Sequence, residues 1–355
     1  MSETKLMKGN EALAEAAILA GCDAYFGYPI TPQSEVLEYL ANYAHRTGMV
    51  VLQAESEVAA INMVYGAAGT GKQIMTSSSS PGMSLMQEGI SYIACAELPC
   101  LLVNVVRGGP GLGTIQPSQG DYFQSVKGGG HGDYKLIVLA PSTVQEMVDF
   151  VREGFALAFK YKNPVLILTD GALGQMMEKV DLFPQMERKT VFEDWATVGK
   201  PKTRERNVIT SLNIKADEME KINIHLQAKY KVIEENEIRY EEYMCDDAEI
   251  LLVGFGLVAR ICKKAAQLAR EKGIKVGVFR PISLFPFPTA KINELAGKVK
   301  GIMDVEMNAG QMVEDVRLAV NGKIPVEFHG RMGGVVPSPE EILQKLEEKF
   351  VGEIA

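Results

Sequence analysis

No apolar run in this 355-residue chain approaches the ~18 residues that a membrane span needs, and the first residues lack the basic-then-apolar order of a secretion signal. Cytoplasm is therefore the expected compartment, with no membrane partner. Cysteine is scarce: Cys22, Cys95, Cys100, Cys245 and Cys262 form no Cys-x-x-Cys pair. That argues against a disulfide framework and against an iron–sulfur or zinc ligand set, so no metal site is expected in this chain. Cationic clusters are missing too. At a net charge of −8, with Lys200–Arg206 the one basic stretch and best read as a solvated loop, the chain offers nothing to nucleic-acid phosphates. The four histidines show no metal spacing. His131 reads as a structural or solvated loop residue, with a proton carrier as the rival account.

What is present is ordinary globular material, 46% hydrophobic and 23% charged, enough for two domains with full cores. Residues 8–21 place apolar and small residues at helical spacing up to Gly21. Strands are then expected at 23–28, 49–53, 73–76, 100–106, 136–139 and 164–169, with helices between them. Cys100–Val106 is nearly all apolar, as a parallel strand buried on both faces would be. This alternation predicts an α/β fold, a parallel sheet with helices on both faces.

Residues 178–247 break the rhythm. A charged loop leads into a long polar helix from Ala216 to about Tyr243. Its stripe of Met219, Ile222, Leu226, Tyr230 and Ile233 reads as a packing face, against the domains or a second copy of the chain. A second alternating series opens at Ala248, with helices expected at 257–272, 311–321 and 339–349 and strands at 275–279 and 300–305. Gly254-Phe255-Gly256 followed by Ala259 imitates a dinucleotide fingerprint. The signal is weak, because Arg280 stands where the acidic ribose partner belongs. The expected organisation is 1–180, a connecting segment 181–247, and 248–355.

Two strand-to-helix turns stand out. In Gly27-Tyr28-Pro29-Ile30-Thr31-Pro32 the prolines remove two donors and push Tyr28 and Thr31 out of the helical region, so the chain leaves the sheet extended with the Thr31 hydroxyl free. A capping group is expected ahead of the helix that starts near Gln33. In Gln53-Ala54-Glu55-Ser56-Glu57 two acids meet a helix start, where they favour the helix dipole. Ser77–Ser80 precede Pro81 and Gly82. Arg107 ends the 100–106 strand, followed by glycines at 108, 109, 111, 113 and 120. Arg107 is free to bind a carboxylate or to pair with Glu55 or Asp121.

Taken together, Gly9-Asn10-Glu11-Ala12, Gly27–Pro32, Glu55-Ser56-Glu57 with Gly66-Ala67-Ala68, Thr76–Gly82 and Val106–Pro110 resemble the α subunit of a 2-oxoacid:ferredoxin oxidoreductase. Gly111–Gln119 and Lys127–Asp133 are most similar to the branched-chain, 2-oxoisovalerate (3-methyl-2-oxobutanoate) branch. The resemblance implies a pyrimidine-type thiamine-diphosphate-binding domain followed by a transketolase-C-like α/β domain. It implies Glu57 as the acid facing the cofactor's pyrimidine, with Glu55 its rival, and Thr31 and Arg107 as the substrate-holding pair. Tyr28, Pro29, Ser79 and Ser80 become candidate cofactor contacts, and Ser78 a further part of the same wall.

The activity implied is oxidative decarboxylation of 2-oxoisovalerate with coenzyme A and ferredoxin. Pyruvate or 2-oxoglutarate are the alternative substrates, and a non-catalytic scaffold of this fold is a more distant one. Neither Gly132-Asp133-Tyr134 nor Asp170-Gly171 matches the Gly-Asp-Gly…Asn segment that holds Mg²⁺ and the diphosphate. The resemblance therefore implies a cofactor shared with a β subunit, with Mg²⁺ and the iron–sulfur clusters on partners: the β subunit, a γ subunit, and a ferredoxin-like subunit or ferredoxin.

Overall fold

The computed structural model describes residues 3–188, 193–200 and 202–352. The outermost residues of the first and last expected segments, 189–192 within the connecting segment and Pro201 of the basic stretch lie outside the described residues. Fourteen strands are described: β1 (Glu3–Lys8), β2 (Ala24–Gly27), β3 (Val50–Gln53), β4 (Ile74–Ser78), β5 (Leu101–Val106), β6 (Ile137–Leu139), β7 (Val165–Asp170), β8 (Met177–Leu182), β9 (Tyr240–Tyr243), β10 (Ile250–Val253), β11 (Val276–Pro281), β12 (Ser283–Phe285), β13 (Gly301–Glu306) and β14 (Val326–Gly330).

Seven strands form one sheet in the order β12-β6-β7-β5-β4-β2-β3. All neighbours are parallel except β12, which runs against β6. β5 and β7 are buried along their whole length, as their mostly apolar sequences lead one to expect. The chain places β3 on one side of β2 and β4 on the other, so strand order reverses at β2. Beyond the carboxyl ends at such a reversal a crevice opens. The helix Glu57–Ala68 packs on Ser80–Cys95 beneath it, and Gly89 permits the approach: a Cβ there would lie 2.6 Å from Ile61 Cγ2.

The second sheet, β14-β13-β10-β11-β9, is parallel apart from its edge strand β9. β9 corrects the expected helix, which ends at Asn236 rather than near Tyr243. The cause is Glu237, buried just beyond the helix end, where it accepts from Lys160 Nζ and Tyr161 Oη, both at 2.6 Å. These bonds fasten the chain to the first sheet's helix Val144–Tyr161 and turn it toward the second sheet. The apolar stripe of the long helix, with Leu226, Tyr230 and Ile233 buried, lies on this chain's own first domain.

The imitation fingerprint at Gly254–Gly256 is a domain contact. Gln119 Nε2 donates to the Phe255 carbonyl at 2.9 Å, and the Tyr122 and Phe255 rings meet at 5.7 Å. Arg280, buried in β11, reaches back across the seam to Glu146 in two bonds of 2.8 and 2.5 Å. Among the described residues no helix is long and apolar enough to cross a membrane.

Candidate active site

The turn after β2 is pinned from below. Tyr25 Oη lies 2.7 Å from Ser77 Oγ, which donates to Gln33 Oε1 at 2.6 Å. Asn10 Nδ2 donates to the Pro32 carbonyl at 2.7 Å. Gln33 sits at the N-cap of the helix Ser34–Tyr43 but makes no side-chain cap, because its amide is committed to Ser77 and not to the helix start. That corrects the expected cap. Tyr28, Pro29 and Thr31 are left exposed along the rim.

Across the crevice, Ser56 caps the helix Glu57–Ala68 by accepting from the Ala59 amide at 3.2 Å. This places Glu57 in the first helical position, where amide dipoles face it. Glu57 is only 5% exposed, whereas Glu55 faces solvent. Burial thus separates the two rivals. Among the described residues the Glu57 carboxyl has no hydrogen-bond or ion-pair partner. A buried polar group without a partner is costly unless it meets a ligand. Gly82 is what lets the two side chains, Glu57 and Ser78, come this close to the helix start: a Cβ there would lie 2.0 Å from Ser78 Oγ and 2.4 Å from Glu57 Oε1. Ser78 Oγ and Ser79 Oγ, both buried, also have no partner among the described residues.

Arg107 stands at the end of β5. Its Nη1 donates to the Thr31 carbonyl at 2.8 Å and its Nη2 to the Leu112 carbonyl at 3.1 Å, while Nε is buried without a partner. Arg107 makes no ion pair among the described residues, so the pairing with Glu55 or Asp121 considered from sequence is not made. Asp121 instead accepts from Asn104 Nδ2 at 2.8 Å, and burial pushes its carboxyl above the usual carboxylate range. Ser80 has a positioning contact: its Oγ donates to the Arg107 carbonyl at 3.2 Å and accepts from the Arg107 amide at 3.1 Å.

The structure therefore gathers Thr31, Arg107 and Ser80 into one contact set, and Glu57, Ser78 and Gly82 into a second. Ser80 is occupied by Arg107, while Ser78 is the serine beside Glu57. Run-of-serine sequence cannot show which hydroxyl points where; the helical glycine two residues after Ser80 was the readable sign of a close approach. Asp170 also ends a strand here. It accepts from the Ala172 and Leu173 amides, and burial raises its carboxyl to about 6. His131 lies elsewhere, its ring edge-on to Tyr92 under the long helix.

A buried acid and a guanidinium with no acidic partner among the described residues thus lie at the strand-order reversal of a parallel sheet, where ligands bind in folds of this class. Family models match accordingly. Residues 15–245 match the thiamine-diphosphate-binding pyruvate flavodoxin/ferredoxin oxidoreductase model, and residues 248–342 match core domain II of pyruvate:ferredoxin oxidoreductase. The chain belongs to the 2-oxoacid:ferredoxin oxidoreductase family, among its α-type chains.

It is 52% identical to the ketoisovalerate oxidoreductase subunit VorB of Methanothermobacter thermautotrophicus, over 97% of both chains. It is 37% identical to the 2-oxoglutarate synthase subunit KorA of Archaeoglobus fulgidus, over 88% of this chain and 91% of that one. A solved 2-oxoglutarate:ferredoxin oxidoreductase from Magnetococcus marinus, with 2-oxoglutarate, coenzyme A and succinyl-CoA bound, superposes with a TM-score of 0.87 at 29% identity over 97% of this chain. This chain spans 65% of that one.

Proposed function

We propose that this chain is the α subunit of a 2-oxoisovalerate:ferredoxin oxidoreductase. The overall reaction takes 2-oxoisovalerate and coenzyme A to isobutyryl-CoA and CO₂, and the pair of electrons released passes to ferredoxin. The observation that carries this reading is the buried, partnerless Glu57 carboxyl packed against Gly82 at the start of the helix Ser80–Cys95.

These residues fit thiamine diphosphate. When bound, that cofactor supplies the nucleophilic carbon and electron sink that decarboxylation of a 2-oxoacid requires. Glu57 would hold the pyrimidine by sharing a proton with its ring nitrogen, a task open to a buried carboxyl that no other side chain occupies. Ser78 and Ser79 offer unspent hydroxyls to the same ring, with Tyr28 and Pro29 on the rim. Arg107, which has no acidic partner among the described residues, would grip the substrate carboxylate, and the Thr31 hydroxyl would donate to its keto or carboxylate oxygen.

The diphosphate and Mg²⁺ would be held by a β subunit, and the iron–sulfur clusters by further partners, the γ or ferredoxin-like subunits. Exposed apolar side chains on the elements that carry Glu57 and Gly82, Val58, Leu85 and, on β3, Leu52, support a chain-on-chain contact there. The segments 1–180, 181–247 and 248–355 would then act as the cofactor-facing domain, a connector and a transketolase-C-like domain.

Glu57→Gln keeps the volume and removes the transferable proton. In the complex assembled with its natural partners, it is expected to abolish substrate-dependent ferredoxin reduction while subunits still co-purify. Turnover near the wild-type rate would remove Glu57 from this role.

A further inference from the structure

The loop that follows Arg107, Gly108-Gly109-Pro110-Gly111-Leu112-Gly113-Thr114-Ile115-Gln116, contains no charged residue. It is nonetheless built to a definite shape. The Gly108 amide donates to the Gln116 carbonyl at 2.9 Å, the Thr114 amide to the Gly108 carbonyl at 2.8 Å, and Arg107 bridges to Pro117. Gly113 takes φ +59°, and a Cβ there would lie 1.8 Å from the Gly108 carbonyl oxygen. Gly333 and Gly334 back the loop from the second domain: a Cβ on Gly108 would come within 2.8 Å of the Gly333 carbonyl carbon.

This rigid frame leaves two apolar side chains facing outward, Leu112 at 84% exposure and Ile115 at 57%. Both belong to the rim of the candidate site. The Leu112 carbonyl is held by Arg107 Nη2, and the Ile115 carbonyl lies beside Pro32 across Gly171, where a Cβ would be 3.5 Å from the one and 2.9 Å from Pro32 Cγ.

We propose that Leu112 and Ile115 select the 2-oxoacid by its side chain, forming an apolar wall that accepts a branched aliphatic group and gives no counter-charge to a distal carboxylate. The proposal rests on the reading of Arg107 above. An acid gripped through its carboxylate at Arg107 presents its remaining carbons to the loop whose Leu112 carbonyl that guanidinium holds, and the exposed apolar side chains of that loop are Leu112 and Ile115, with Pro32 beside its backbone. Shedding water from apolar carbon on both sides favours the branched chain. A second carboxylate would lose hydration there with nothing to replace it.

The test uses the complex assembled with its natural partners and compares kcat/KM for 2-oxoisovalerate, pyruvate and 2-oxoglutarate. In the Leu112→Ser/Ile115→Ser double variant, preference for 2-oxoisovalerate over pyruvate is expected to fall on the order of tenfold, mainly through KM, as loss of methylene-scale contacts does. Leu112→Arg is expected to raise 2-oxoglutarate use relative to 2-oxoisovalerate. Unchanged ratios would overturn the proposal. So would variants that only lose their partner subunits, which would assign the two side chains to a subunit seam. A wild-type complex that ignores 2-oxoisovalerate would sink the reading of the site itself. A wild-type complex that uses it, with unchanged ratios in the variants, would sink the selectivity proposal alone.

Discussion

Arg107 owes its position to two backbone carbonyls and not to an acid. Carbonyl acceptors orient a guanidinium without cancelling its charge, so the full cation remains for a carboxylate ligand. Arg107→Ala is expected to raise KM for the 2-oxoacid roughly 10- to 100-fold, with a smaller effect on kcat, as removal of a charged hydrogen bond does. Steady-state ferredoxin reduction at varied 2-oxoacid measures it, and an unchanged KM would count against the contact.

Sequence pointed to Arg107 and to the pair Glu55 and Glu57, but left each with two roles. The deciding facts were spatial. Glu57 turns under helix Ser80–Cys95 and is buried, Glu55 stays in water, and Asp121 finds Asn104 instead of Arg107.

Among the elements, the helix Ser80–Cys95 is the one whose entry shapes the pocket. Pro81 in its first turn sets the helical φ early, and Gly82 keeps the wall thin. Gly82→Ala would favour an isolated helix by intrinsic propensity. Here its methyl group would sit 2.0 Å from Ser78 Oγ and 2.4 Å from Glu57 Oε1. Overpacking of this kind typically costs about 1–3 kcal/mol. The variant is expected to melt several degrees lower and to lose activity. A thermal scan with an activity assay checks both, and full activity would show that the close packing of Glu57 and Ser78 on Gly82 is not needed.

Most strands of both sheets were legible from apolar runs and punctuation. β1, β8, β9, β12 and β14 were not. β1 and β8 pair only with each other across the whole first domain, and β12 is a three-residue strand between prolines. Pairings of this kind are set by long-range contacts that leave no local pattern.

At the scale of the whole molecule, buried polar contacts fasten the two sheets. Gln119 hydrogen-bonds to the second domain at Phe255 and Met307, Tyr122 Oη donates to Asp315 at 2.7 Å, and Arg280 holds Glu146 and Glu241. Burial alone would raise the Glu146 carboxyl, but the Arg280 guanidinium overrides that and holds it below the usual carboxylate range. The stabilisation is therefore present above the ordinary carboxylate range and is lost as pH falls through the depressed native value. Arg280→Met leaves Glu146 part-buried without its cation, a change that typically costs about 3–5 kcal/mol. Denaturant unfolding at pH 7 should show that loss, and the gap to wild type should narrow in acid. A variant as stable as wild type at pH 7 would remove this pair from the seam's stability.

Sequence by itself determined the alternation of strands and helices, the ends of the strands where polar atoms emerge, and the short set of residues able to do acid or anion-binding chemistry there. These are local matters, set by apolar periodicity, proline and glycine. Only the tertiary structure decided which of two glutamates is dry, which serine is free and which is spent on a backbone, and why Arg280 is a domain clasp and not a nucleotide contact. Burial and partnership depend on what distant segments bring to the same few ångströms, and no stretch of sequence contains that information alone.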